Sequence, residues 1–184
     1  YTLSLHDALP IYDVIEKICR EKKCKLIKVP RDSAIYLGKE NLKNVVVTLK
    51  GDQVPYKHNA ITQKIEIRTI KNNYIVDLAL LGKHQLLNCS VAVHAIEALI
   101  GQGLMISKAN IITGLINVTW PARLEVMNKR PLVVIDGAHN IDGIKNLTQS
   151  IDMYFNYNKI ILILGILADK QVEEMIKIDR KSVV

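Results

Sequence analysis

No apolar run in the 184 residues approaches the ~20 that a membrane-crossing helix needs, which excludes a helical transmembrane protein. The longest run, Ile160 to Leu164, is the size of one strand. Cysteine is scarce. Cys19, Cys24 and Cys89 cannot all pair and have no zinc-ligand spacing, so reduced thiols acting as small apolar groups in a cytoplasmic protein are expected. No cationic segment followed by an apolar stretch opens the chain, so no secretory signal is expected. With 9 Gly, 5 Pro, 49% hydrophobic and 23% charged residues, collagen-like and disordered readings fail, and a buried core is within reach. Repeats and low-complexity tracts are absent. So is any G-x-x-x-x-G-K-[ST] segment, the loop that cradles phosphates through backbone N–H groups.

Positive charge is what the chain has in excess: 25 Lys and Arg against 18 Asp and Glu, a formal +7. That balance favours anionic partners. The cations are scattered (Lys17, Lys22, Lys23, Lys25, Lys28, Lys43, Lys50, Lys57), as on a solvated surface, so neither nucleic acid nor membrane is expected as a partner. A non-enzymatic basic binding module stays open as an alternative.

The ends differ from the rest. YTLSLHDALPI at the start resembles a translated adapter read-through, and DRKSVV at 179–184 raises the same suspicion, so 1–10 and 179–184 are expected to be foreign to the fold. Ile11, Val14, Ile15 and Ile18 then predict an amphipathic helix to about Lys23. Cys24 to Val29 reads as a strand stopped by Pro30, and 31–44 as loop. Val45 to Leu49 is a β-branched strand closed by Gly51-Asp52. Lys64 to Ile70 and Tyr74 to Leu81 form a hairpin around Lys71-Asn72-Asn73. A helix follows over 84–100, with Leu87, Val91, Ala95, Ala98 and Leu99 as its apolar stripe, Val93, Ile96 and Ile100 extending it so that more than one side should be buried, and Gly101 and Gly103 ending it. Pro131 to Ile135 and Lys159 to Leu164 read as continuously apolar strands of a parallel sheet. Helices follow each, marked by Ile144, Leu147 and Ile151 and by Val172, Met175 and Ile176. This βαβα pattern predicts an α/β unit with a right-handed crossover.

Ligands of such sheets sit beyond the carboxyl ends of the strands. The loops there carry Asp136 with His139 and Asn140, and Asp169 with Lys170. Asp136 reads either as a cap for the next helix or as a ligand-facing carboxylate, the latter favoured by His139 and Asn140. Arg123, in Trp120-Pro121-Ala122-Arg123-Leu124-Glu125, offers a planar fork of donors suited to phosphate. Gly82-Lys83-His84-Gln85 with Asn88 opens the apolar helix with an unusual set of polar groups. These groups serve either capping or recognition of a heterocycle edge.

Four motifs in order, G-x-H-Q-x-x-N (82–88), W-P-x-R-L-E (120–125), D-G-A-H-N (136–140) and G-x-L-x-D-K (165–170), resemble consecutive blocks of the folylpolyglutamate synthase/dihydrofolate synthase family, relatives of the Mur ligases. The resemblance implies an α/β chain. Residues 11–105 would be the tail of a P-loop-type ATPase domain, and 106–178 the first part of a Rossmann-like C-terminal ligase domain. It implies an ATP-dependent amide ligase that phosphorylates the carboxylate of a folate or dihydropteroate and joins L-glutamate to it. By the same resemblance Asn88 would contact adenine, Arg123 the ATP phosphates and Asp136 the ribose. His139, Asp169 and Lys170 would be the catalytic group. ATP and Mg2+ are the implied cofactors, the metal ligands being expected upstream of this chain. The intact enzyme is expected to be a monomer, and these residues alone to be inactive. A Mur-type cell-wall precursor ligase is the nearest alternative. Two departures stand out: Ala122 replaces a usual Gly, which costs about 1 kcal/mol if φ is positive there, and Ile141 replaces a usual Pro.

Overall fold

The computed structural model of the chain describes residues 9–41, 46–49, 52–55, 61–167 and 170–178. The expected foreign tail 179–184 and most of the expected leader lie outside them. Leu9 and Pro10 do not: they open α1 (Leu9–Glu21), with Pro10 in the first turn, where a missing N–H is tolerated. The segment 24–29 forms no strand. The first strand is instead β1 (Ala34–Asn41), in the stretch read as loop. Local loop chemistry is overridden there by pairing, because β1 lies antiparallel to β4 (Ile61–Arg68) along its whole length, with a bulge between Tyr36 and Gly38. Between them, β2 (Val46–Leu49) and β3 (Asp52–Pro55) make a separate two-stranded ribbon.

β4 and β5 (Asn73–Leu78) form the expected hairpin, Arg68 opposite Asn73. Thr69 closes the turn: its N–H donates to the Asn72 carbonyl (2.9 Å), and its Oγ1 accepts from the Asn72 N–H (2.9 Å). Alternation puts Ile65, Ile67, Tyr74, Val76 and Leu78 on one face of the β1-β4-β5 sheet, all fully buried. Each such side chain is worth about 1.5–3 kcal/mol of burial. α2 (Lys83–Ile100) and α3 (Lys108–Ile116) cover that face with Cys89, Val93, Ile111 and Ile116. Burial pushes the Cys89 thiol up to about 12, so it stays an inert apolar group. α3 begins on a reciprocal cap: the Asn110 N–H donates to Ser107 Oγ (3.1 Å), and the Ser107 N–H donates to Asn110 Oδ1 (3.1 Å). α3, which a boundary near residue 105 gives to the second domain, thus packs into the first core.

The buried face of α2 takes in Val93 from the expected extension but leaves out most of the main stripe read from the sequence. Val91 is 48% exposed, and Ala95 and Leu99 are also exposed, while Gln85, Ser90, His94 and Glu97 are buried with Cys89 and Val93. Distant partners make this possible. Glu97 Oε1 accepts from Thr69 Oγ1 (3.0 Å), Asn72 Nδ2 (3.0 Å) and Tyr74 OH (2.8 Å), tying the hairpin turn to the helix. Ser90 Oγ shares a hydrogen bond with Ser33 Oγ (2.6 Å), and His94 Nδ1 donates to the Ser90 carbonyl (2.8 Å).

The second half consists of β6 (Glu125–Lys129), β7 (Leu132–Ile135), α4 (Ile141–Tyr154) and α5 (Val172–Ile178). Here two expectations are corrected. β7 pairs only with β6 among the described residues, and antiparallel. Its side chains are not buried on both faces, Val133 being 44% exposed. The segment 159–164 is no strand beyond a bridge at Ile161, and Ile163 is 91% exposed. Continuous apolarity signals a strand only where neighbours pair with it. No parallel crossover is formed among the described residues.

The halves meet in a second apolar cluster of Leu81, Leu124, Tyr154 and Phe155, with Tyr36 edge-on to Tyr154 at 6.5 Å. A buried amide links them. Gln63 Nε2 donates to the carbonyls of Leu80 (2.5 Å) and Gly82 (3.2 Å), and Gln63 Oε1 accepts from Tyr154 OH (2.7 Å).

Candidate functional site

A cavity of about 390 Å³ opens between the 120–124 loop, the 136–140 loop, the first turns of α4 and the start of α2. Arg123, Asp136 and His139 all line it, so two loops separated in sequence present the expected phosphate, ribose and catalytic groups to one space.

The loops brace each other through backbone groups. Asp136 accepts the N–H of Leu124 at Oδ2 (2.8 Å) and that of Ala138 at Oδ1 (2.8 Å). The Gly137 N–H donates to the Ala122 carbonyl (2.7 Å), and the Ala122 N–H donates to Glu125 Oε2 (2.8 Å). These bonds hold Ala122 (φ 54°) and Leu124 (φ 48°) in the left-handed region, on either side of Arg123. Such residues cost about 1–2 kcal/mol each and persist where the surroundings over-determine them. Position 122 therefore has the positive φ for which glycine is suited.

The alternative reading of Asp136 as a helix cap falls to another residue. Asn140 caps α4, its Oδ1 accepting the Gly143 N–H at 2.7 Å. The positive end of a 14-residue helix thus faces the cavity, favouring an anion there. His139 Nδ1 donates to the Gly137 carbonyl (2.9 Å), which leaves Nε2 as the acceptor of the neutral ring. Arg123 is exposed and makes no salt bridge among the described residues, so its guanidinium is available to an anionic ligand.

His84 is a wall residue that the sequence only hinted at, through the polar cluster opening α2. Gln85 Nε2 donates to His84 Nε2 (2.9 Å), and Asn88 Nδ2 donates to Gln85 Oε1 (3.2 Å). This chain places the ring proton on Nδ1, a buried donor without a partner among the described residues. Burial and the nearby Arg123 charge hold the imidazole below its ordinary range, against the pull of Asp136. Gly82 (φ 111°) is required beside it, since a Cβ there would stand 2.6 Å from the ring. Asn146 and Ser150 of α4 also line the cavity and carried no sequence signal.

Other expected residues are not brought in. Asn88 is exposed one turn along α2 from His84 and does not line the cavity. Lys170 sits half-buried before α5, its N–H donating to the Leu167 carbonyl (3.1 Å), and is not in the wall. Asp169 lies outside the described residues.

Residues 122–181 match the family described as Mur ligase, glutamate ligase domain, the stretch that supplies Arg123, the 136–140 loop and α4. With the relatives that follow, this makes the chain similar to folylpolyglutamate synthases and, over residues 122–181, to the glutamate ligase domain of Mur ligases. It is 39% identical over 101 residues to the folylpolyglutamate synthase of Lacticaseibacillus casei, 54% of this chain and 23% of that protein. It is 34% identical over 100 residues to the dihydrofolate synthase/folylpolyglutamate synthase of Bacillus subtilis (strain 168), with the same shares. The chain thus spans about a quarter of the length of these relatives. Its fold matches that of a Mycobacterium tuberculosis folylpolyglutamate synthase complexed with ADP, with a TM-score of 0.69 at 22% identity, over 93% of this chain and 34% of that one.

Proposed function

We propose that the chain forms the adenosine-facing side of the nucleotide site in an ATP-dependent ligase that joins L-glutamate to the carboxylate of a folate or dihydropteroate through an acyl phosphate. One observation carries this reading: Arg123 and Asp136 line the same cavity from adjoining loops, inside the region that matches a glutamate ligase domain. The lining fits a phosphate-bearing ligand, with a guanidinium that makes no salt bridge among the described residues and the N-terminus of α4. When bound, ATP supplies the phosphoryl group that activates the carboxylate. Arg123 then binds and orients phosphate, Asp136 reaches the ribose with the lone pairs its two backbone bonds leave free, and His139 stands beside the nucleotide. Asn88 is assigned to the base, beyond the cavity's edge, and Asp169 and Lys170 to the catalytic group.

In this proposal the magnesium ligands and the phosphate loop belong to residues upstream of this chain, whose sequence has no G-x-x-x-x-G-K-[ST] segment. The chain alone is then a nucleotide-binding unit without turnover. In this division the ATPase part runs over residues 11–105 and the ligase part over 106–178. A monomeric, cytoplasmic parent enzyme is part of the same proposal.

Calorimetric titration of the chain with ADP tests the reading. Arg123→Ala should weaken binding tenfold or more without lowering the melting temperature, since the residue is exposed and makes no salt bridge among the described residues. Equal affinities would overturn it. A full-length enzyme containing this chain, assayed with dihydropteroate, tetrahydrofolate and a muramoyl peptide, distinguishes the substrate branches.

A further inference from the structure

Glu125 has no assigned role, yet it stands at one of the points where the Arg123 loop is fixed. The residue on the N-terminal side of Arg123 is held twice: the Ala122 N–H donates to Glu125 Oε2 (2.8 Å), and the Ala122 carbonyl accepts from the Gly137 N–H (2.7 Å). The C-terminal side is held once, by the Leu124 N–H on Asp136 Oδ2 (2.8 Å). Both flanking residues are left-handed without being glycine, a conformation that relaxes once its restraints are removed. Carboxylate acceptors form the stronger class of hydrogen bond to an amide. Neither carboxylate forms a salt bridge with the guanidinium, so the loop is held by acids while its cation is left for the ligand.

We infer that Glu125 is a positioning residue: together with Asp136 it clamps residues 122–124 so that Arg123 is presented to the phosphates of a nucleotide in the cavity. This rests on the nucleotide reading above. Glu125 acts through Arg123 and does not touch the ligand. Its removal should therefore affect only ligands that Arg123 contacts.

The test uses the 184-residue chain, with ADP and adenosine as probes in parallel titrations. Glu125→Ala should weaken ADP binding about five- to tenfold and leave adenosine binding within twofold. Glu125→Gln, which keeps an oxygen in place for the Ala122 N–H, should restore most of the ADP affinity. In an Arg123→Ala background Glu125→Ala should change nothing further. A parallel measurement of amide exchange by NMR should show the Ala122 N–H exchanging faster in Glu125→Ala and not in Glu125→Gln. If the unaltered chain binds ADP and Glu125→Ala binds it equally well, the positioning role is wrong while the nucleotide reading stands. Equal losses for ADP and adenosine would mean general disruption of the loop and would also overturn it. An unaltered chain that binds neither probe overturns the nucleotide reading, and the positioning role with it.

Discussion

The β4–β5 hairpin and the β6–β7 hairpin are both two antiparallel strands with a short turn, yet they are held in opposite ways. In the first, one face is fully closed by α2 and α3, and even its turn is bonded to a buried carboxylate, Glu97. In the second, β7 keeps Leu132, Val133 and Ile135 about half exposed, and the loops at its ends are held by caps and clamps instead of by burial. Apolar packing stabilises the first hairpin, which lines no part of the cavity. Backbone hydrogen bonds to Asp136, Glu125 and Asn140 shape the loops that do. A binding loop needs this second kind of support, because its groups must stay at the surface and still keep one geometry.

The contrast can be broken by mutation. The largest difference should come from truncating matched strand positions. Ile67→Ala, in the closed core, should destabilise the chain by about 4 kcal/mol in urea unfolding, whereas Val133→Ala on β7 should cost less than about 1 kcal/mol. Similar losses at the two sites would mean that β7 is as buried as β4.

Next in size is Glu97. Glu97→Ala should cost about 3 kcal/mol, since Tyr74 OH, Asn72 Nδ2 and Thr69 Oγ1 lose their common acceptor. Burial works against the Glu97 charge, but donation from Asn72, Tyr74 and Thr69 outweighs it and holds the carboxyl below its ordinary value of 4.5. A carboxyl depressed in the folded state adds stability above that value and loses it as pH falls through the folded one. Unfolding free energies from pH 7 down through the acid range should therefore fall less steeply for Glu97→Ala than for the unaltered chain. A parallel pair of curves would contradict the assignment.

Smaller effects are expected in the site half. Asn140→Ala should cost about 1 kcal/mol through the lost cap of α4, and should also weaken ADP binding, since Asn140 lies in the cavity wall. The smallest change has the opposite sign. Ala122→Gly should raise stability by about 0.5–1 kcal/mol, because the residue already sits at φ 54°. A loss on that substitution would show that the left-handed conformation at 122 is not the one populated in solution.

What was legible in the sequence follows the same division. The hairpin around Lys71-Asn72-Asn73 and the helix over 84–100 could be read locally, because alternation and turn residues carry them, whereas the meeting of W-P-A-R-L-E with D-G-A-H-N was implied only by the family resemblance. The polar face of α2 could not. Ser90 and Glu97 are buried only because Ser33, Thr69, Asn72 and Tyr74 reach them from elsewhere in the chain, and hydropathy periodicity sees none of these partners. β1 was hidden for the same reason, its pairing with β4 being a long-range event. At the site, Arg123 and Asp136 were readable as charged groups on loops. Glu125 and His84 were not, since their parts depend on a backbone amide and on a chain of side-chain bonds.

The most direct measurement is a crystal structure of the chain soaked with ADP. The account predicts the diphosphate between the 120–124 and 136–140 loops, with a phosphate oxygen roughly 3 Å from the Arg123 guanidinium. ADP bound elsewhere on the surface, or seated in this cavity with Arg123 turned away from its phosphates, would contradict it.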